Sequence, residues 1–477
     1  MNMNPSMSMR RTDLAGWVVA LVLTVVVTAG SLWITLQRYH RFETGWSWDL
    51  AFYNQWCWAI THGDSILSVR PIAAYAVEGP SVWKTNYLSP ARYALLPIYR
   101  LWPSPVTLLV IHGVVFWWVL PAAYGLVRHE SGSALAGVLG LPLILLTPLV
   151  IPLALNDFRE LQLGLPFAIW AVDGVRGRCK GLTILGVLGL LACRQEFAVW
   201  VAMLAFVPAR APEEITRRFR WCAWLWFVGL VWLIVAFFGF LVTVSGWSIP
   251  MQYLRQFQGS ELALGEILTT AFWILILGLG SWVVLGLAVP RLVLLTLPWL
   301  WSLASGRYGM HLMADPAWHH VRYAVPFLAS GLAASLIGYS KGWLWAAGFG
   351  RARSLRALLV LGSYVWMVPM FLVVQNQFRQ IPWLVAAADV EPTWRAIAQV
   401  QPNDGVVAHY DLTAPLSSRR WLYSYILDQN KPAGYPHNLP ATIQWVFIHP
   451  GDIQPDLLAN QGFRVLHDGP TVQVYQR

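Results

Sequence analysis

LAGWVVALVLTVVVTAGSLWITL, which runs from Leu14 to Leu36, decides the fold of this chain because it holds 23 residues without a charged side chain. A helix of that length spans roughly 30 Å, the thickness of the hydrocarbon core of a bilayer. A cleaved signal peptide is the alternative, since Thr28-Ala29-Gly30 is compatible with a cleavage site. The run continues through Trp33 beyond that site, which favours an uncleaved anchor. The Arg10-Arg11 pair before the run predicts that the N-terminus is cytoplasmic.

The composition of the whole chain indicates that lipid is its main solvent. Hydrophobic residues make up 57% of the chain and charged residues 12%, whereas soluble domains carry about 25% charged residues. The chain has 29 tryptophans, more than packed cores require, and tryptophan concentrates at bilayer interfaces. The net charge of +10 comes from the loops between apolar segments rather than from a basic stripe, which excludes nucleic acid as a partner.

Apolar segments recur through the first 380 residues, and the lysines and arginines between them set their direction. The predicted spans are 14–36, 105–127, 134–155, 161–175, 181–192, 197–208, 221–244, 267–289, 292–305, 323–338 and 357–374. Several of them are short, which is typical of a bundle whose helix ends lie below the membrane surface around a polar cavity. The sequence thus predicts an α-helical polytopic domain over 1–380 with about eleven transmembrane helices and a long external loop at about 37–90.

Near residue 381 the composition changes to that of a soluble protein. Apolar periodicity predicts helices at 392–400 and 455–461, and strands at 405–409, 443–448, 463–467 and 471–475. These elements predict a small α/β domain over 381–477, which the span count places outside the cytoplasm.

Ionisable residues between the apolar segments form compact clusters, and each of these clusters falls on the predicted external side. The clusters are Trp48-Asp49, Asn156-Asp157-Phe158-Arg159-Glu160, Arg194-Gln195-Glu196 and the loop 311–322. Carboxylates near lipid suit proton transfer or cation binding, and arginine suits bidentate contacts with phosphate. The pattern predicts a membrane enzyme whose reaction takes place at one face. Simpler explanations are a solvated Asp49, helix capping by Asp157, and arginines that reach toward lipid headgroups.

A metal site is a further candidate in the loop before the tenth span. His311, Asp315 and His319 follow one another at intervals of four, which would place them on one helix face as ligands. Pro316 argues against a continuous helix there. His320 and Arg322, at the mouth of the next span, are candidates for binding a headgroup phosphate. The sequence has no glycine-rich phosphate loop, which argues against nucleotide-driven transport.

At these clusters the chain resembles a bacterial family of membrane proteins known as domain of unknown function 2079 (DUF2079). The matching motifs are Trp48-Asp49 with Gln55 and Trp58, Tyr87-Leu88-Ser89-Pro90, Pro103-Ser104-Pro105, Asp157-Phe158-Arg159-Glu160, Arg194-Gln195-Glu196, Arg322-Tyr323-Ala324-Val325-Pro326-Phe327 and Leu416-Ser417-Ser418-Arg419. Tyr87 and Arg159 stand where the family pattern has histidine.

The resemblance implies a GT-C-like bundle, the architecture of polytopic glycosyltransferases that use sugars linked to a lipid phosphate. The implied donor is a polyprenyl-phosphate sugar that enters from the outer leaflet of the cytoplasmic membrane, and a divalent cation is the candidate cofactor. Asp49 would be the base on the acceptor or a ligand of that cation. Arg194, with Arg159 or Arg322, would stabilise the departing phosphate.

The resemblance also assigns supporting roles. Asp157, Glu160 and Glu196 would orient the acceptor or a metal, and Gln55 and His320 would bind substrate. The alternative function is a non-catalytic membrane protein that binds an envelope glycan, lipid or protein partner through its external domain. A transporter comes third, because spans two to six lack the charges in mid-membrane that a coupled carrier needs.

Overall fold

The computed structural model describes residues 11–43, 47–64, 88–211, 214–245, 264–279, 285–305, 321–349, 352–379, 385–425 and 439–477. Within these ranges the chain is mainly helical and carries one small sheet near its C-terminus. The predicted fold class, a helical membrane domain followed by a small α/β domain, is confirmed.

The described residues from Arg11 to Arg379 form the helical bundle. Its helices are α1 (Arg11–His40), α2 (Ser47–Thr61), α3 (Pro90–Leu101), α4 (Pro105–Phe116), α5 (Val119–Ser131), α6 (Ala134–Leu146), α7 (Val150–Ala154), α8 (Glu160–Gly177), α9 (Lys180–Cys193), α10 (Phe197–Met203), α11 (Ile215–Ile234), α12 (Val242–Ser245), α13 (Leu264–Leu279), α14 (Pro290–Ser305), α15 (Val325–Ala347) and α16 (Ala352–Arg379). A π-helical segment, Val235–Leu241, joins α11 to α12, and a 3-10 turn at Val321–Ala324 leads into α15.

Five stretches of the described residues are long and apolar enough to cross a membrane. They are Thr12–His40, Pro105–Ser131, Ile215–Leu241, Val321–Ala347 and Arg353–Val373. Shorter apolar helices lie at Ala134–Leu146, Lys180–Cys193, Phe197–Phe206 and Leu264–Ile276. All of them overlap predicted spans, and the total of about eleven spans stays a prediction.

The helices divide into a buried centre and an exposed periphery. The most apolar stretch of 18 residues in the span that contains α15 is 89% buried inside the protein. The corresponding stretches in the spans of α1 and α11 are each 22% buried. The sequence of α15 explains this, because alanine, serine and glycine let neighbouring backbones approach closely. Gly186 of α9 shows the same requirement, since a Cβ there would collide with the backbone of α8 at Ala171. The exposed apolar faces of α1 and α11 are suited to lipid.

The two ends of the helix α8 serve to name the two ends of the bundle. We call the end at which α8 begins, at Glu160, the site end, and the end at which α8 finishes, near Gly177, the opposite end. The chain between α1 and α4, which carries α2 and α3, meets the rest of the bundle at the site end.

The C-terminal domain is a five-stranded mixed sheet with a helix against it. The elements are α17 (Ala387–Gln399), β1 (Gly405–His409), β2 (Leu422–Tyr425), β3 (Ile443–Ile448), α18 (Pro455–Ala459), β4 (Arg464–Asp468) and β5 (Gln473–Gln476). The strand order is β2-β1-β3-β5-β4. The strands β1, β2 and β3 run parallel, and β5 pairs antiparallel with both β3 and β4. The predicted strands β1 and β3 have the predicted bounds, whereas β2 was not predicted.

The domain packs directly against α2 of the bundle. Ala51 and Phe52 share a hydrophobic core with Leu412, Leu416 and residues of the sheet. At the same boundary, the Trp394 ring of α17 donates a hydrogen bond of 2.7 Å from its Nε1 to the carbonyl oxygen of His40. The C-terminal domain therefore packs against the site end of the bundle.

Candidate functional site

The first turn of α2 presents Asp49 to two arginines from distant parts of the chain. Arg159, immediately before α8, contacts the Asp49 carboxylate directly. Arg322, in the 3-10 turn before α15, places Nη1 3.5 Å from Asp49 Oδ2. The three side chains are only 7 to 12% exposed. Three of the sequence-predicted residues thus form one buried ion cluster.

Glu160 is held by an arginine that the sequence analysis did not single out. Arg92 of α3 donates to Glu160 Oε1 from Nε at 3.1 Å and from Nη2 at 2.5 Å. Its guanidinium also lies over the rings of Tyr53 and Trp56, with centroid distances of 4.8 and 5.9 Å. Arg92 lies in the first turn of α3, directly after the family-like motif that ends at Ser89-Pro90, and that position was the available signal.

The Arg194-Gln195-Glu196 turn between α9 and α10 completes the cluster. Arg194 and Glu196 form a bidentate pair, with Nη2–Oε1 at 2.7 Å and Nε–Oε2 at 3.0 Å. Gln195 Oε1 accepts a hydrogen bond of 3.0 Å from the backbone nitrogen of Leu88. Arg194 is close enough to Glu160 and Arg159 to interact with both electrostatically. The motifs at 49, 157–160, 194–196 and 322 therefore meet in space.

Several buried polar atoms of this cluster have no hydrogen-bond partner in the described part of the chain. They are Asp157 Oδ2, Arg159 Nε, and both Nε2 and Oε1 of Gln162. Burying such a group unpaired costs about 1–3 kcal/mol, so native proteins rarely keep several together without reason. Burial raises the pKa of Asp157 to about 6, while Arg38 and Arg322 act to lower it. A polar ligand at the site end would satisfy these atoms, and the raised pKa of Asp157 makes it a candidate for proton transfer.

Gln55, predicted to bind substrate, contacts the C-terminal domain instead of a cavity. Its Nε2 donates to the backbone carbonyls of Arg419 and Arg420 at 3.0 and 3.1 Å. The neighbouring Asn54 donates from Nδ2 to Ser417 Oγ at 2.9 Å and to Ser418 Oγ at 3.0 Å. Two of the family-like motifs, one on α2 and one at Leu416–Arg419, thus bind each other, and the substrate role of Gln55 stays a prediction.

A second charge cluster lies at the opposite end, and the sequence analysis did not single it out. Glu130 Oε1 accepts from Arg176 Nε at 2.7 Å and Arg210 Nε at 2.6 Å, and Oε2 accepts from Arg176 Nη2 at 2.6 Å. Asp173 binds Arg210 Nη2 at 2.6 Å and His129 Nδ1 at 2.8 Å. These residues are far apart in sequence and converge only in the bundle, so no compact run of ionisable residues indicated the cluster.

His311, Asp315 and His319, together with the predicted phosphate ligand His320, lie outside the described residues. Their roles stay predictions.

Sequence reasoning also missed a histidine and aspartate cluster in the C-terminal domain. Asp411 Oδ1 lies 2.5 Å from His409 Nδ1, and Oδ2 lies 2.8 Å from His449 Nε2. Burial acts to raise the pKa of Asp411, but hydrogen bonds from the two histidines outweigh it and hold the pKa at about 2. The signal was present, since His409 ends β1 and His449 follows β3, and the carboxyl ends of parallel strands meet at one edge of a sheet.

The fold resembles that of solved ArnT structures from Cupriavidus metallidurans. ArnT bound to undecaprenyl phosphate matches with a TM-score of 0.50 at 12% identity, over 95% of this chain and 97% of that chain. Its apo state gives a TM-score of 0.49 at 13% identity, over 97% and 98%. The first likeness confirms the GT-C-like fold.

The sequence itself is matched at the level of a family and not of a characterised protein. No functionally curated protein matches the chain. A family model described as predicted membrane protein (DUF2079) matches residues 38–464. The chain therefore belongs to the DUF2079 family of membrane proteins.

Proposed function

We propose that the chain is a glycosyltransferase that moves a sugar from a polyprenyl-phosphate carrier to an acceptor hydroxyl at the site end. One observation carries the proposal: buried arginines and buried polar atoms without hydrogen-bond partners are gathered in one cluster. The GT-C-like fold supports it, and ArnT with this fold has been solved with undecaprenyl phosphate bound.

The arrangement of the arginines fits a phosphate. Arg159 lies within electrostatic range of both Arg194 and Arg322, and the three guanidiniums repel one another. Buried like charges are stabilised when an anion lies between them, and guanidinium matches phosphate in bidentate geometry. Asp49 neutralises part of this charge, and Glu196 pairs with Arg194. A lipid phosphate would neutralise the charge that remains.

The proposed reaction divides its roles among these residues. The bond between the sugar C1 and the phosphate oxygen breaks, and its electron pair stays on the phosphate. The acceptor oxygen bonds to C1 and gives its proton to Asp157, whose Oδ2 has no hydrogen-bond partner among the residues that the structure describes. The arginines stabilise the charge that develops on the leaving phosphate, which is where fixed donors accelerate a reaction. Asp49 then positions Arg159 and Arg322 rather than acting as the base.

The proposal is tested by envelope glycans in cells. A strain without this chain is complemented with the wild type, with Asp157→Asn, or with Arg291→Gln, which changes an exposed arginine of α14. The wild type and Arg291→Gln should restore the glycan profile measured by mass spectrometry, and Asp157→Asn should not, at equal protein levels. An unchanged glycan profile in the deletion strain would refute the proposal.

The proposed location is the external face of the cytoplasmic membrane. Asp49, Asp157 and Arg194 are buried, so labelling of single cysteines should use exposed positions. In a cysteine-free background, a cysteine at Arg395, 73% exposed on α17, should react with an impermeant reagent added outside. A cysteine at Arg217 of α11 should not. The reverse pattern would place the site in the cytoplasm.

The alternative function keeps one observation in its favour. The C-terminal domain binds α2 through Asn54 and Gln55, so the chain could act as a non-catalytic receptor for an envelope glycan, lipid or protein. In that case removing 381–477 abolishes function, whereas Asp157→Asn has no effect on the phenotype. The same complementation assay separates the two functions.

A further inference from the structure

We propose that His409, Asp411 and His449 form a binding site for a divalent transition-metal ion, with zinc as the best fit. The site is in the C-terminal domain, and the proposal is independent of the proposed glycosyl transfer. One ligand atom from each residue lies within 4.8 Å of the other two.

The fold brings the three residues together from separate segments. His409 is the last residue of β1, and His449 follows the last residue of the neighbouring parallel strand β3. Asp411 lies in the 3-10 turn Tyr410–Leu412 directly after β1. The next turn holds His449 in place, because its backbone nitrogen donates to Asp452 Oδ2 at 2.9 Å. Three rigid elements thus fix the positions of the three ligands before any ion binds.

The geometry fits a small first-row ion. Ligand atoms around a tetrahedral zinc, at bond lengths of about 2.1 Å, are separated by roughly 3.4 Å. The separations to Asp411 are 2.5 Å from His409 Nδ1 and 2.8 Å from His449 Nε2. The two imidazole rings meet edge to face with centroids 4.2 Å apart. Shifts of less than about 1 Å would open these contacts to accept an ion at bond lengths typical of zinc.

The surroundings of His449 follow the pattern of metal-binding histidines. Its other ring nitrogen, Nδ1, contacts the carbonyl oxygen of Thr471. Metal-ligating histidines commonly donate the second ring N–H to a backbone carbonyl or carboxylate, which fixes the ring and directs the free nitrogen at the metal. Two imidazoles and one carboxylate are ligands for zinc or iron rather than for calcium or magnesium.

The burial of the cluster leaves one direction of entry. Asp411 is fully buried and the side chain of His409 is 6% exposed, whereas that of His449 is 19% exposed. An ion would therefore enter past His449. The competing explanation is a cluster held only by hydrogen bonds, in which Asp411 bridges two histidines without a metal.

The position of the site suggests what the ion would do. The 3-10 turns at Tyr410–Leu412 and Ala414–Leu416 pack on α2. They lead into Ser417 and Ser418, which accept hydrogen bonds from Asn54. An ion bound to Asp411 would stiffen this segment and hold the domain over the site end.

The experiment measures metal bound by the full-length chain, purified in detergent, stripped with a chelator and then dialysed against zinc. Wild type should retain about one zinc per chain, held by three protein ligands with water in the fourth position of a tetrahedral site, measured by mass spectrometry of the metal. Substitution by cobalt should give the visible absorption of a tetrahedral site. Zinc should also raise the thermal unfolding temperature, because it binds the folded state.

Matched variants locate the ion. His449→Gln and Asp411→Asn should lose the zinc, whereas His467→Gln should keep it, since His467 of β4 pairs with a different aspartate, Asp389 of α17. If wild type retains neither zinc nor cobalt, the cluster is held by hydrogen bonds alone and the proposal fails. It also fails if His319→Gln removes the zinc while His449→Gln leaves it, because the ion then lies in the loop before α15.

If the ligand variants do not fold, the wild-type protein still decides the question. Cobalt absorption without the bands of a tetrahedral site, or occupancy well below one ion, overturns the proposal. A rise in the unfolding temperature that follows the zinc occupancy supports the proposal.

Discussion

At the opposite end of the bundle, Glu130 and Asp173 use all four of their carboxylate oxygens to bind arginine and histidine side chains. At the site end, Asp157 Oδ2 has no hydrogen-bond partner in the described chain. Both groups of residues are buried between helices of the same bundle. The comparison teaches that buried charge alone does not identify a functional site, whereas buried polar atoms without hydrogen-bond partners point to one.

The physical reason is the cost of each arrangement. A fully paired network repays part of the desolvation of its charges, and removing one member leaves another uncompensated. A buried polar atom without a hydrogen-bond partner lowers the stability of the ligand-free protein. We therefore expect such an atom where a ligand supplies the missing hydrogen bond during function. The paired cluster is therefore expected to be structural, and the unpaired one is expected to bind.

The largest effect is expected from Glu130→Gln at the opposite end. The change leaves the guanidiniums of Arg176 and Arg210 without their shared carboxylate. We expect a loss of about 3–5 kcal/mol in the free energy of unfolding, measured by thermal unfolding of the purified protein. Asp157→Asn is the matched control at the site end and should change the stability by less than about 1 kcal/mol. Equal losses in the two variants would remove the distinction between the two ends.

The next effect concerns ligand binding at the site end. Arg194→Gln should weaken binding of undecaprenyl phosphate by about 1.5–3 kcal/mol, the range for hydrogen bonds to a charged group. Binding is measured on protein in lipid nanodiscs by native mass spectrometry. In Arg194→Gln, the Glu196 carboxylate loses its arginine partner. The double variant Arg194→Gln with Glu196→Gln shows whether that carboxylate contributes to the weaker binding. Arg291→Gln is the control, and equal weakening there would mean that the effect is one of bulk charge.

A smaller effect is expected at the polar contact between α2 and the C-terminal domain, where the buried side-chain amide of Gln55 has hydrogen-bond partners. Gln55→Ala removes hydrogen bonds to two backbone carbonyls, at a cost of about 1 kcal/mol each. We expect faster hydrogen exchange over 405–425, measured by mass spectrometry, with little change in α5 or α8. Unchanged exchange would show that apolar packing around Ala51 and Leu416 is sufficient to hold the domain.

The smallest effect extends the comparison to the sheet domain. Asp389 accepts hydrogen bonds from Thr471 N, Thr471 Oγ1, Val472 N and His467 Nε2 at 2.6 to 3.0 Å. Burial acts to raise the pKa of Asp389, but these hydrogen bonds outweigh it and lower the pKa below its ordinary value. The carboxylate therefore stabilises the fold above its unfolded pKa of about 3.9 and loses that contribution as the pH falls through the lower folded pKa.

Thermal unfolding at pH values from about 6 to about 3 measures this linkage. The wild-type domain should lose stability more steeply toward low pH than Asp389→Asn does, because the asparagine has no proton to gain. Parallel pH profiles would show that Asp389 is not ionised differently in the folded and unfolded states.

Much of the architecture could be predicted because it depends on local pattern. Charge-free runs such as 14–36 match helices found in the structure, and β1 and β3 have their predicted bounds. The strand β2 was missed because Leu422–Tyr425 has only four residues, too few for a clear alternating pattern. Family-like motifs led to Asp49, Asp157 and Arg194, but they gave no information on partners, so Arg92 and the Asp411 cluster were overlooked.

The sequence by itself determined that this is a polytopic membrane protein with a soluble α/β end, because lipid and water select side chains along the chain independently of tertiary contacts. Only the tertiary structure decided which charges are paired. Asp49 meets Arg159 and Arg322, and Glu130 meets Arg176 and Arg210, across separations that no local pattern encodes. Electrostatic interaction depends on distance in space and on burial, and the bundle sets both.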